Sequence, residues 1–121
     1  FATTKRFPFE HAHTLKRPIE AEGSRRAHGH PYRAEVNVTG APDPATGMVI
    51  DLGHLDAKLA QVRASLDHHF LNDVPDLGPA TLENLAAWIW RDLVRLGVKP
   101  SKVVVARDAS GDSCAYTEPA T

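Results

Sequence analysis

Between His28 and Thr39 the chain alternates: Tyr32, Ala34, Val36 and Val38 fall on one side of an extended strand, and Arg33, Glu35, Asn37 and Thr39 on the other. A period of two marks a strand with one covered face and one wet face. The cover has to come from elsewhere in the sequence, and two segments can supply it. Asp51 is placed to cap a helix in which Leu55, Leu59, Val62 and Leu66 form one apolar stripe. Thr81 is placed to cap a second, striped by Leu82, Leu85, Ala86, Ile89, Leu93 and Leu96 and stopped by Gly97 and Pro100. Thr3 to His13 reads as another strand, with Phe7, Phe9, His11 and His13 on one face. A turn-rich stretch runs from Gly40 to Gly47, Val103 to Val105 reads as a third strand, and the surroundings of Ala115 and Tyr116 as a fourth. The order ββααββ predicts an α+β fold: a four-stranded antiparallel sheet with two helices on one face. At 121 residues the expectation is a single domain spanning 1–121.

Composition narrows the function classes. A net charge of −1 gives no reason to expect a nucleic-acid partner or a membrane surface. The longest apolar run, Leu85 to Trp90, is far too short to span a bilayer, and the opening Phe-Ala-Thr-Thr-Lys-Arg lacks the apolar core of a secretory signal. One cysteine, Cys114, excludes an intrachain disulfide and fits a reducing, cytoplasmic setting. So short a domain buries a limited core, which favours self-association. Lys16, Arg17, Arg25, Arg26 and Arg33 form a local basic cluster, readable as a solvated face or as a seat for an anion.

Seven histidines are many for this length. In His28-Gly29-His30 the two imidazoles stand at i and i+2, so on a strand both project from one face. Two converging imidazoles need a further partner to hold zinc, and His13 on the preceding strand supplies it if the two strands pair. Three protein ligands leave a fourth position open, as in catalytic zinc sites. Spacing alone also fits a loop or a satisfied polar pair, and Gly29 alone fits a bend or bulge.

Several dispersed segments together resemble one family, the 6-pyruvoyl-/6-carboxy-tetrahydropterin synthases. Phe9-Glu10-His11-Ala12-His13 is similar to its first-strand motif, and His28-Gly29-His30 to its His-Gly-His pair. Gly47-Met48-Val49-Ile50-Asp51 resembles its strand-to-helix junction. Leu66-Asp67-His68-His69-Phe70-Leu71-Asn72 resembles its Leu-Asp-His motif, and Thr81-Leu82-Glu83-Asn84 the start of its second helix. The resemblance implies the tunnelling fold, in which such subunits close into an oligomeric barrel, often a homohexamer built as a dimer of trimers. It implies Zn2+ on His13, His28 and His30, a dihydropterin such as dihydroneopterin triphosphate as substrate, active sites between subunits, and a place in queuosine or biopterin biosynthesis.

The resemblance also assigns roles. Asp67 and His68 match the catalytic acid–base pair, the carboxylate orienting the imidazole. Asp108, aligned from Tyr116, stands where the family has a glutamate that grips the pyrimidine edge of the pterin. It is shorter by one C–C bond, and Glu83 is the other acidic candidate, with Thr81 beside it. Arg25 and Arg26 suit a triphosphate. Ser24 departs from the family, which has a proton-removing cysteine four residues before the first histidine of the pair. An alcohol is a far weaker acid than a thiol and needs its own base. His11, where the family has a small residue, is a candidate for that base, and it equally fits simple packing or binding to a partner strand. The resulting expectation is a zinc-dependent lyase acting on the side chain of a dihydropterin, by triphosphate elimination, retro-aldol cleavage or both. The alternatives are a non-catalytic zinc-containing pterin-binding protein and a structural zinc subunit.

Overall fold

A computed structural model describes residues 1–10 and 31–119 of the chain. Strand β1 (Ala2–Phe9) pairs antiparallel with β2 (Tyr32–Thr39), from Ala2 opposite Thr39 to Phe9 opposite Tyr32. The alternation decides which face is covered. Tyr32, Ala34, Val36 and Val38 are buried together with Phe7 and Phe9, while Arg33, Glu35 and Asn37 lie half-exposed on the opposite face. Strands β3 (Lys102–Arg107) and β4 (Asp112–Tyr116) complete a four-stranded antiparallel sheet in the order β1-β2-β3-β4. Both β3 and β4 run longer than the predicted cores, because they extend each other by pairing as far as Arg107 opposite Asp112.

Helices α1 (Leu52–Leu66) and α2 (Leu82–Arg95) pack against the apolar face. Asp51 caps α1, its carboxylate accepting the Gly53 N–H at 2.9 Å, and Leu55, Leu59, Val62 and Leu66 are buried as the stripe predicts. Thr81 caps α2, its hydroxyl accepting the Asn84 N–H at 3.1 Å. Its stripe is buried from Leu82 to Leu93, and Leu96, the C-cap, is half-buried. Gly97, at a φ of +88°, ends the helix: its N–H bonds the Val94 carbonyl at 3.0 Å and the Val98 N–H bonds the Leu93 carbonyl at 2.9 Å, a Schellman closure that satisfies two end carbonyls.

α2 is apolar well beyond one stripe. Trp88 is buried with its indole N–H on the Pro75 carbonyl at 3.0 Å, and Trp90 packs edge-on against Tyr116 at 5.3 Å between centroids. The connection between the helices, with a 3-10 turn at Leu71–Asp73, buries Leu71, Val74 and Leu77 in the same core. The predicted strand-to-helix junction before Asp51 is instead turn and bend, with Gly47 at a φ of +74°. Pro42 and Pro44, which lack the N–H of a ladder, fall in the turn-rich stretch before it. Among the described residues, no helix is long and apolar enough to cross a membrane.

Candidate active site at one end of the sheet

Of the predicted site residues, the registers bring Asp67, His68 and Asp108 to one end of the sheet. β1 ends and β2 begins at the Phe9–Tyr32 pair, so Glu10 and Pro31 are neighbours there. β3 ends at Arg107, next to Asp108, and Arg33 opposite Ala106 sets β2 alongside. α1 runs beside β1, with Lys5 bound to Asp56 at 3.0 Å near its start, and delivers Asp67 to Glu10 at its finish.

Asp67, the C-cap of α1, is 16% exposed and held from three sides. One carboxylate oxygen accepts the Glu10 N–H at 2.8 Å, the other faces the Arg63 guanidinium at 3.2 Å, and its own N–H bonds the Arg63 carbonyl at 2.7 Å. The next N–H, of His68, bonds the Glu10 carbonyl at 2.5 Å. Glu10 is thus gripped by both of its backbone polar groups. His68 sits at a φ of +58°, in the left-handed region that side chains other than glycine seldom occupy. Such an outlier persists where its surroundings dictate it, often at functional sites. The imidazole is 74% exposed and its Nε2 lies 3.7 Å from the Asp67 carboxylate, beyond hydrogen-bond range. The expected pair is therefore adjacent, but Asp67 is oriented by Glu10 and Arg63, and His68 turns outward.

Asp108 lies against the other face of the sheet. Arg33 donates to both of its oxygens, Nε at 2.9 Å and Nη2 at 3.0 Å, while the third guanidinium nitrogen bonds Glu35. Arg6 faces Glu35 as well, at 2.7 Å. The hydrogen-bonding guanidinium of Arg33 holds the Asp108 carboxyl below the usual aspartate range, against the opposing effect of burial. A cleft of about 300 Å³ opens at this corner between Pro8, Pro31, Tyr32, Arg33 and Asp108. A separate groove on the other side of β1 is lined by Arg63 and Asp67, and the two share only Arg6, Phe7 and Pro8.

Thr81 and Glu83 lie at the start of α2, on the helical side of the sheet. The Thr81 hydroxyl is engaged in capping, and Glu83 is near enough to Cys114 to help burial raise the thiol's pKa. The two acidic anchor candidates, Asp108 and Glu83, therefore stand on opposite sides of the sheet. His11, His13, Ser24, Arg25, Arg26, His28 and His30 lie outside the described residues. Among the described residues no group of three or more His, Cys, Asp or Glu is arranged to hold a metal. Sequence reasoning passed over Glu10, Arg63 and the tie of Arg33 to Asp108. Only the i, i+4 spacing of Arg63 and Asp67 was visible in advance.

Comparison with known proteins decides the family. The model of the family described as 6-pyruvoyl tetrahydropterin synthase matches residues 2–119. The chain belongs to this family. It is 37% identical, over 95% of its own length and 92% of the relative's, to a 6-carboxy-5,6,7,8-tetrahydropterin synthase of Synechocystis sp.. It is 41% identical to the 6-pyruvoyl tetrahydrobiopterin synthase of Homo sapiens over 57% of this chain and half of that protein. The fold matches the solved structure of the Caenorhabditis elegans 6-pyruvoyl tetrahydropterin synthase with a TM-score of 0.68, at 23% identity, covering 98% of this chain and 94% of that one. The relatives are named tetrahydropterin synthases, which fits the expected fold and chemical class.

Proposed function

We propose that this protein is a zinc-dependent lyase acting on the side chain of a dihydropterin, dihydroneopterin triphosphate or a close relative, to give a 6-carboxy- or 6-pyruvoyl-tetrahydropterin-type product or a retro-aldol cleavage. The observation that carries this reading is the 37% identity, over nearly all of both chains, to a protein named 6-carboxy-5,6,7,8-tetrahydropterin synthase. The fixed Asp67–His68 corner and the cleft at Asp108 support it.

The donor set suits zinc: His13, His28 and His30 are three imidazoles borne by the segment that joins Glu10 to Pro31, and three such ligands leave one position for substrate. Held by these three histidines, zinc would supply Lewis-acid chemistry that eases ionisation of a substrate hydroxyl. This chain's own residues do the rest. Asp108 accepts the two N–H donors of the pyrimidine edge, and the cleft at Pro8 and Pro31 takes the flat ring. Glu83 and Thr81 remain secondary substrate-binding candidates. Arg25 and Arg26 meet the triphosphate. His68, solvent-exposed and next in the chain to Asp67, exchanges protons with the side-chain hydroxyl and carbon. Ser24 replaces the family's thiol with an alcohol, and His11 is the base proposed to assist it.

The proposed assembly is a homohexamer, a dimer of trimers, and the open sheet edges support association of this kind. β1 and β4 are the edges of the sheet, and pairing them between copies removes exposed edges. Asp67 and Asp108 of one chain face different grooves, so a site using both draws them from neighbouring subunits. Cytoplasmic residence is the accompanying expectation, from the lone Cys114. The second reading, a pterin-binding protein that retains zinc without turnover, is favoured by Ser24.

Two substitutions separate the roles. His28→Ala should lose stoichiometric zinc, measured by elemental analysis. Asp67→Asn should keep the zinc and the fold but lower turnover of dihydroneopterin triphosphate by ~10²-fold or more, the scale of general acid–base catalysis. Full zinc in the first removes the ligand assignment, and unchanged turnover in the second removes Asp67 from the chemistry.

A further inference from the structure

The carboxylate assigned to the pterin is already occupied. Arg33 approaches Asp108 as a two-pronged donor, with Nε and Nη2 at 2.9 and 3.0 Å from its two oxygens. A 2-amino-4-oxo-pyrimidine edge offers the same pattern, two parallel N–H groups on a planar guanidine-like unit. The two donors compete for the same side of one carboxylate. Arg33 springs from β2, a central strand, whereas Asp108 stands beyond the end of β3 in the turn to β4. Arg33 also has somewhere to go: its remaining guanidinium nitrogen already bonds Glu35, which is held in turn by Arg6. At 35% and 66% side-chain exposure, Arg33 and Asp108 form a pair that water can open.

We infer that Arg33 acts as a built-in competitor for the pyrimidine edge at Asp108 and so sets how tightly the site holds a pterin. It rests on the reading of Asp108 as the pterin anchor. A ligand with a matching two-donor edge displaces the guanidinium toward Glu35. A ring with one donor does not recover the bond it breaks. Arg33 thereby weakens pterin binding overall, by the same factor for any ring that must displace it. It is a positioning residue, since it touches the anchor and not the reacting atoms.

The test is equilibrium binding of neopterin, read by its fluorescence, to the zinc-loaded full chain and to Arg33→Met, Arg33→Lys and Asp108→Asn, with thermal unfolding confirming that each is folded. Removing the competitor in Arg33→Met should tighten binding roughly three- to fivefold, the scale of an exposed charged pair. Arg33→Lys, which keeps the charge but loses the fork, should fall between it and the parent. Asp108→Asn should lose most binding. Weaker or unchanged binding in Arg33→Met, with Asp108→Asn impaired, overturns the competition while leaving the anchor in place. Undiminished binding by Asp108→Asn overturns the anchor itself, and the inference with it. Failure of all four proteins to bind neopterin overturns the pterin reading beneath both.

Discussion

Asp67 and Asp108 are both acidic residues at the same end of the sheet, and their surroundings prepare them for different work. The Asp67 carboxylate is mostly buried and held by a backbone N–H and Arg63, so its position is fixed before any ligand arrives. Asp108 is largely exposed and held by a single side chain, Arg33, so its position depends on a contact that can exchange. That contact has a pH signature. The arginine lowers the carboxyl's pKa in the folded chain below the ~3.9 of an unperturbed aspartate. The folded state therefore binds the proton less readily than the unfolded state. The pair's small contribution to stability is present above the unfolded pKa and is lost as the pH falls through the lower, folded value. Carboxyl carbon NMR should show Asp108 titrating below ~3.9, and Arg33→Met should move it upward toward that value. An Asp108 that titrates at the ordinary value in both proteins would show that the pair does not persist in solution.

At the scale of elements, caps and stripes locate the helices, and the predicted contributions differ by position. Thr81→Ala removes one capping hydrogen bond at an exposed site and should cost about 1 kcal/mol. Ile89→Ala empties a fully buried position between α2 and the sheet and should cost about 2–5 kcal/mol. Denaturant melts of the two variants should preserve that order, and an equal or reversed cost would mean that α2 is not seated as described. Both features were legible in the sequence, because a cap followed by a stripe, like the alternation in β2, is a local pattern. The connection after Asp67 was not legible: Leu71, Val74 and Leu77 are buried through a short 3-10 turn and the bend and turn after it, which give neither a strand's alternation nor a helical stripe. Nor was the breadth of the α2 core face, since Trp88 and Trp90 lie off the stripe and are buried by partners distant in sequence, Pro75 and Tyr116. The site shows the same division. Motifs marked Asp67, His68 and Asp108, but Glu10 and Arg33 acquire their roles only from pairing across the sheet, which no single segment encodes.

At the scale of the whole molecule, one end of a small sheet carries the close of β1, the start of β2, the end of β3 and the C-terminus of α1. The proposed zinc ligands belong to the segment between Glu10 and Pro31, the acid–base pair follows α1, and the ring anchor follows β3. Asp67 and Asp108 face different grooves at that end, on either side of β1, which is an edge strand of the sheet. Family membership over residues 2–119 accounts for the fold and for the chemical class. Ser24 makes turnover the decisive question. The most direct measurement is incubation of the zinc-loaded protein with dihydroneopterin triphosphate while triphosphate and acetaldehyde are followed together. The account predicts release of one or both, with the pattern naming the reaction. Release of neither, by a protein shown in parallel to bind the pterin, would contradict the lyase and leave a binding protein in its place.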